Sequence, residues 1–137
     1  MRWLPTVVLA LMGLINLGRG AIHAFAADGG AASIAGLDLS SNRQAILSFM
    51  ATLGLAQIAK GLFELYVVAR RRDLVTLFLS MQALDTLLAV ANLYFWRPLP
   101  VSVPGQPFNV VLLALQLVAL MLAVRAAPSS PADPAAT

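Results

Sequence analysis

The chain has 137 residues, of which 60% are hydrophobic and only 11% charged. An ordinary soluble domain carries about 25% charged residues, so this composition excludes that class. The net charge is +3 with no cysteine, which removes disulfides, thiolate metal sites and CxxC redox chemistry.

Four apolar segments follow one another, at about residues 4–27, 46–69, 74–95 and 108–124. Crossing about 30 Å of hydrocarbon takes roughly 20 apolar helical residues, so each segment reads as a membrane span. The expected fold is an all-α, integral membrane four-helix bundle forming one domain over residues 1–125.

The first segment has a signal-peptide alternative, since Arg2 precedes it and Ala24-Phe25-Ala26 resembles a cleavage site. Cleavage would leave three spans. Its length, and its interruption by Asn16, Arg19 and His23, argue for a span instead.

Residues 28–43 are rich in Gly, Ala and Ser but include Ile34, Leu37 and Leu39. They are expected to lie as a short element at the interface. Ser40-Ser41-Asn42 offers N-cap chemistry for the second helix.

The second segment carries Gln57, Lys60 and Glu64 on one side of a helix. A charge facing lipid is costly, so that side should face protein or a water-filled cavity. Arg70-Arg71-Arg72-Asp73 then forms a tight turn, with Asp73 placed to cap the third helix. So short a link predicts that the second and third helices are antiparallel neighbours. The arginine run is a topology signal rather than a nucleic-acid surface.

The third segment carries Gln82, Asp85 and Asn92, and Tyr94 and Trp96 belong at headgroup level. The prolines of residues 96–107 favour an extended connection to the fourth segment, which carries Asn109 and Gln116. Residues 126–137, rich in Ala, Pro and Ser, have the composition of a disordered tail. With both termini cytoplasmic, Arg2, Arg70, Arg71, Arg72 and Arg125 lie inside against Arg43 and Arg97 outside, which supports that orientation.

Polar residues recur at a spacing of seven in every span: Asn16 and His23, Gln57 and Glu64, Asp85 and Asn92, Asn109 and Gln116. Seven residues is nearly two turns, so each pair shares a face. Gly13 and Gly20, Gly54 and Gly61, and Ala89 accompany them. Small residues let membrane helices approach closely, and polar groups then bond across the contact. The pattern predicts a bundle with polar side chains inward and Leu, Val and Phe outward.

At about 1.5 Å of rise per residue, Arg19 lies roughly 6 Å to one side of Asp85, and Lys60 about 4–5 Å to the other. Asp85 can reach either cation, and Glu64 lies a turn beyond Lys60. These four residues form an expected interior network with balanced charge, to which Asn16, Gln57 and Gln82 add amides. Its two readings are helix register and function. His23, the single histidine, reads chiefly as an interfacial imidazole facing water. No metal-ligand spacing, nucleophile motif or phosphate loop is present, and no cofactor is expected.

Gly18-Arg19-Gly20, and the stretch from Gly61-Leu62-Phe63-Glu64 to Arg70-Arg71-Arg72, give the first three spans a plan that resembles the small bacterial four-helix membrane proteins of the DoxX-like type. That resemblance implies a fold but assigns no catalytic residue. The Ala/Leu-rich composition suits a bacterial inner membrane.

Three functions follow as expectations. The first is a non-enzymatic accessory, assembly or interaction subunit, with membrane lipids, a second copy or a larger membrane complex as partners. The second is a binder of lipids or lipophilic small molecules, or an enzyme acting on them, built on Arg19, His23, Lys60, Glu64 and Asp85. The third is a proton- or ion-coupled transporter, which would need an oligomer because four helices enclose little space.

Overall fold

The structure is a computed structural model that describes residues 3–98, 103 and 105–126. The expected tail beyond Ala126 and most of the proline-rich connection lie outside the described residues. Helix α1 spans Leu4–Phe25, α2 Arg43–Arg70, α3 Val75–Ala91 and α4 Gly105–Ala126. A 3₁₀ turn at Arg72–Leu74 leads into α3, and a π turn at Asn92–Trp96 extends it. Counting those turns with α3, all four helices are long and apolar enough to cross a membrane.

The boundaries have local causes. Pro5 stands in the first turn of α1, where a missing N–H costs nothing. Arg97 N–H closes the π turn on the Asn92 carbonyl, and Pro98 follows, where a helix cannot continue.

Neither expected cap forms. Asn42 stands at the N-cap of α2 in the left-handed region (φ 56°) with no side-chain cap bond. The Asp38 carboxylate accepts both the backbone N–H and the hydroxyl of Ser40, taking that serine out of contention. Asp73 lies inside the 3₁₀ turn, and its two oxygens accept from Arg71 Nε and Nη2 at 3.0 and 2.8 Å. Its capping capacity goes to a forked arginine pair instead.

Packing is uneven around the bundle. α1 lies against all three other helices, most closely against α2, while α3 packs chiefly on α4. The reason is visible in the glycines of α1 and α2. Gly13 faces Gly61 and Gly20 faces Gly54, and a Cβ on Gly20, Gly54 or Gly61 would stand under 3.0 Å from the facing backbone. α2 is thereby drawn onto α1 and meets α3 only lightly. The expected pairing of α2 with α3 is corrected on that point: the short turn joins their ends, and beyond it the helices part.

One end of the bundle is dry. Val8 and Leu9 of α1, Val67 of α2, Val75 and Leu79 of α3 and Ala119 of α4 form a buried apolar cluster there. Outside, Leu14, Phe49, Leu62, Phe63, Met81, Leu84, Val111 and Leu117 are exposed. An apolar surface that extensive is far beyond what a monomer in water carries.

Residues 26–42 form a chain of turns folded back on α1 and α2 rather than a regular element. The Asp28 carboxylate accepts the Gly30 and Ser33 N–H groups, and Ala31 is fully buried. Gly29 and Gly30, both at positive φ, pass close to Met50 and Ile22 respectively, and the backbone conformation there favours glycine.

Candidate functional site: a polar cleft between α2 and α3

Where α2 and α3 diverge, a cleft of about 470 Å³ opens in the side of the bundle. α1 forms its floor through Met12, Ile15, Asn16 and Arg19. α2 gives Leu53, Ala56, Gln57 and Lys60; α3 gives Gln82, Asp85, Thr86 and Ala89. Asn92 and Leu93 of the π turn and Asn109 and Leu112 of α4 complete the wall. The size falls within the usual range of small-molecule sites, roughly 300–1,000 Å³.

The four charged residues expected to form one network divide into three arrangements. Lys60 Nζ is paired with the Asp85 carboxylate across the mouth of the cleft, with side chains 31% and 67% exposed. This pair links α2 to α3 where their backbones have separated. Arg19 does not join it; its Nη1 donates to Asn109 Oδ1 of α4 at 3.0 Å. Glu64 does not pair with Lys60 either. It lies only 1% exposed below the cleft floor, where Asn16 Nδ2 donates to its Oε2 at 2.8 Å.

Beneath the charges runs a chain of amides and a hydroxyl. Asn16 Nδ2 also reaches Gln82 Oε1 at 3.4 Å, a long contact, and Gln82 Nε2 donates to Thr86 Oγ1 at 3.3 Å. The Thr86 hydroxyl donates to the Gln82 carbonyl, one turn back on α3. α1, α2 and α3 are therefore joined through Asn16 at the level where the dry end of the bundle stops.

Two acceptors stand apart. The buried Oε1 atoms of Gln57, a residue of the cleft lining, and of Gln116, fully buried in α4, have no hydrogen-bond partner among the described residues. Gln116 Nε2 is directed to the Met12 sulfur at 3.0 Å, a weak acceptor.

Of the eight residues singled out in the sequence, Asn16, Arg19, Gln57, Lys60, Gln82 and Asp85 line one cleft. Glu64 supports its floor. His23 lies elsewhere, in a smaller pocket of about 230 Å³ with Gln44, Leu47 and Ser48. Its Nδ1 is 2.8 Å from the Gly29 carbonyl, which makes Nδ1 the donor of that bond. The inward placement expected of Asp85 and Asn92 is corrected in part: both are exposed, because the cleft they line is open.

Sequence reasoning left three polar residues of the lining out of the site, Thr86, Asn92 and Asn109. Asn109 holds Arg19, and its signal was the spacing of seven to Gln116. Thr86 lies one turn beyond Gln82, and that i, i+4 relation was its signal.

Comparison of the chain with protein-family models, with curated proteins and with solved structures gave no match.

Proposed function

We propose that this is a multi-pass membrane protein of a bacterial inner membrane, with both termini cytoplasmic. Its function is to bind, without catalysis, the polar end of a lipophilic molecule that enters sideways between α2 and α3. One observation carries this reading. The Lys60–Asp85 pair lies exposed at the mouth of an open cleft, on helices apolar enough to span a membrane. Charges exposed at membrane depth are costly unless a polar molecule or water meets them. The cleft lining mixes apolar side chains with a few convergent polar groups, as ligand sites do.

Native mass spectrometry of the protein released in a gentle detergent tests the reading. A reproducible non-protein adduct, weakened in Asp85→Asn and Lys60→Gln, is the expected result. A bare protein under every release condition would remove it. The orientation has its own test, because the chain has no cysteine. A cysteine placed at Ser41 should react with a membrane-impermeant reagent in intact cells, and one at Ser129 should not; the reverse labelling would invert the topology.

An accessory or assembly subunit is the second reading, and the outer face of α2 favours it. Ala59, Leu62, Phe63 and Tyr66 outline a shallow apolar groove on that face. Replacing Leu62 and Phe63 with alanine would release a partner seated there and leave the cleft adduct in place. The resemblance to DoxX-like proteins is compatible with either reading, since it concerns the plan of the bundle.

A further inference from the structure

Arg19 is the one cleft-lining charge that forms no ion pair among the described residues, although the Asp85 carboxylate acts on it from a distance. Lys60 and Asp85 answer each other, and Glu64 is held below the floor by Asn16. Arg19 instead binds through a single Nη1 donor to the neutral amide of Asn109, itself buried. A guanidinium has five N–H donors in a planar fork suited to two-point recognition of carboxylate or phosphate. One donor to Asn109 fixes the direction of that fork and leaves the others for a ligand. Elsewhere in the chain, Arg71 grips Asp73 in just this forked way.

Gln57 of α2 lines the same cleft and adds a neutral amide to it. Ile15, Leu53 and Leu93 add apolar surface to the same cleft.

We propose that the cleft is a site for anionic amphiphiles: a carboxylate or phosphate held by Arg19, with an acyl chain leaving between α2 and α3. This rests on the binding reading above and adds the class of ligand. Asn109 acts as the positioning residue that aims the guanidinium.

The test uses the full chain in a non-ionic detergent and four single-chain probes of equal acyl length, titrated by native mass spectrometry. They are a monoacylglycerol phosphate, the free fatty acid, a monoacyl phosphocholine and an uncharged monoacylglycerol. The two anionic probes should bind at least about tenfold more tightly than the zwitterionic and uncharged ones, an advantage of about 1.4 kcal/mol. Arg19→Gln keeps a donor for Asn109 and should abolish that preference. Arg19→Lys, which keeps the charge but loses the fork, should retain only part of it.

Equal binding of all four probes would overturn the anion assignment and leave the binding reading standing. No binding of any probe to a protein that melts cooperatively would overturn both. Inorganic phosphate in large excess should leave the monoacylglycerol phosphate bound. Displacement at comparable concentration would make this a free-anion site and overturn the amphiphile assignment. Should Arg19→Gln fail to fold, Asn109→Leu provides the same reading: the anionic preference should fall, and an unchanged preference would refute the positioning role.

Discussion

Gly20 and Gly54 face each other so closely that a Cβ on either would stand 2.6 Å from the other's carbonyl oxygen. Gly61 repeats the relation with the Gly13 carbonyl at 2.7 Å. The atoms in the way are backbone, so no side-chain rotation relieves the clash. Gly54→Ala and Gly20→Ala should each destabilise the protein by about 1–3 kcal/mol or more, the range of overpacked cores. Gly18→Ala is the matched control: its added methyl meets nothing within 4 Å, so it should be neutral or stabilising. Thermal melts followed by helical circular dichroism would check the contrast. Equal melting points for all three variants would refute the close contact.

Lys60, rather than Arg19, is the partner of Asp85. A double-mutant cycle on Lys60→Gln and Asp85→Asn should show a coupling of about 1 kcal/mol, near the top of the range for exposed pairs. The cycle on Arg19→Gln and Asp85→Asn should show a smaller coupling, because Asp85 acts on Arg19 only from a distance. A larger coupling in the second cycle would reverse the assignment.

That pairing marks the boundary of what the sequence made legible. The four spans follow from hydropathy, and the shared faces of Asn16, Gln57 and Gln116 follow from a spacing of seven. These are properties of one helix at a time. The partner of Asp85 is a property of two, and depth along the span ranked Arg19 and Lys60 almost equally. The deciding fact was which helices lie close together, and here two signals competed. The short turn at Arg70–Asp73 suggested α2 beside α3, whereas the glycines of α1 and α2 governed the packing and opened the cleft instead. The caps failed for a similar reason: Ser40 is bonded to Asp38 and Asp73 to Arg71, and local competition of that kind is not encoded in residue type.

The first connection should respond to acid. Two backbone N–H groups, from Ser33 and Gly30, hold the Asp28 carboxyl down at about 2. An unfolded aspartate titrates near 3.9, so the folded value is the lower one and ionisation favours the folded turn. That contribution is complete above the unfolded value and is lost as pH falls through the interval down to about 2. A carboxyl carbon titration by NMR in micelles should therefore give a midpoint well below 3.9. Asp28→Asn at neutral pH should raise amide exchange at Gly30 and Ser33. A midpoint at the ordinary aspartate value would mean the turn is not held this way.

Gln116 should be replaceable at a gain. It is fully buried, its Oε1 has no partner, and its Nε2 meets only the Met12 sulfur. Gln116→Met keeps the length of the side chain and removes an unmet acceptor, a change worth about 1–3 kcal/mol. A raised melting temperature is expected; a lowered one would mean that Gln116 is bonded in the folded protein.

Asn16 is the residue on which the polar floor depends, because one amide nitrogen serves both Glu64 and Gln82. Asn16→Leu preserves volume but leaves the buried Glu64 carboxyl without its donor. The loss should exceed the roughly 1–3 kcal/mol of a neutral unmet group if the carboxyl stays charged, and fall within it otherwise. Glu64→Gln keeps an acceptor for Asn16 and should cost less than Asn16→Leu. The double variant Asn16→Leu with Glu64→Leu removes both ends of the bond, so it should recover much of the loss. Reversible unfolding in mixed micelles would measure all three. If the double variant were as unstable as the sum of the singles, Asn16 and Glu64 would be acting independently, and the floor of the cleft would rest on packing alone.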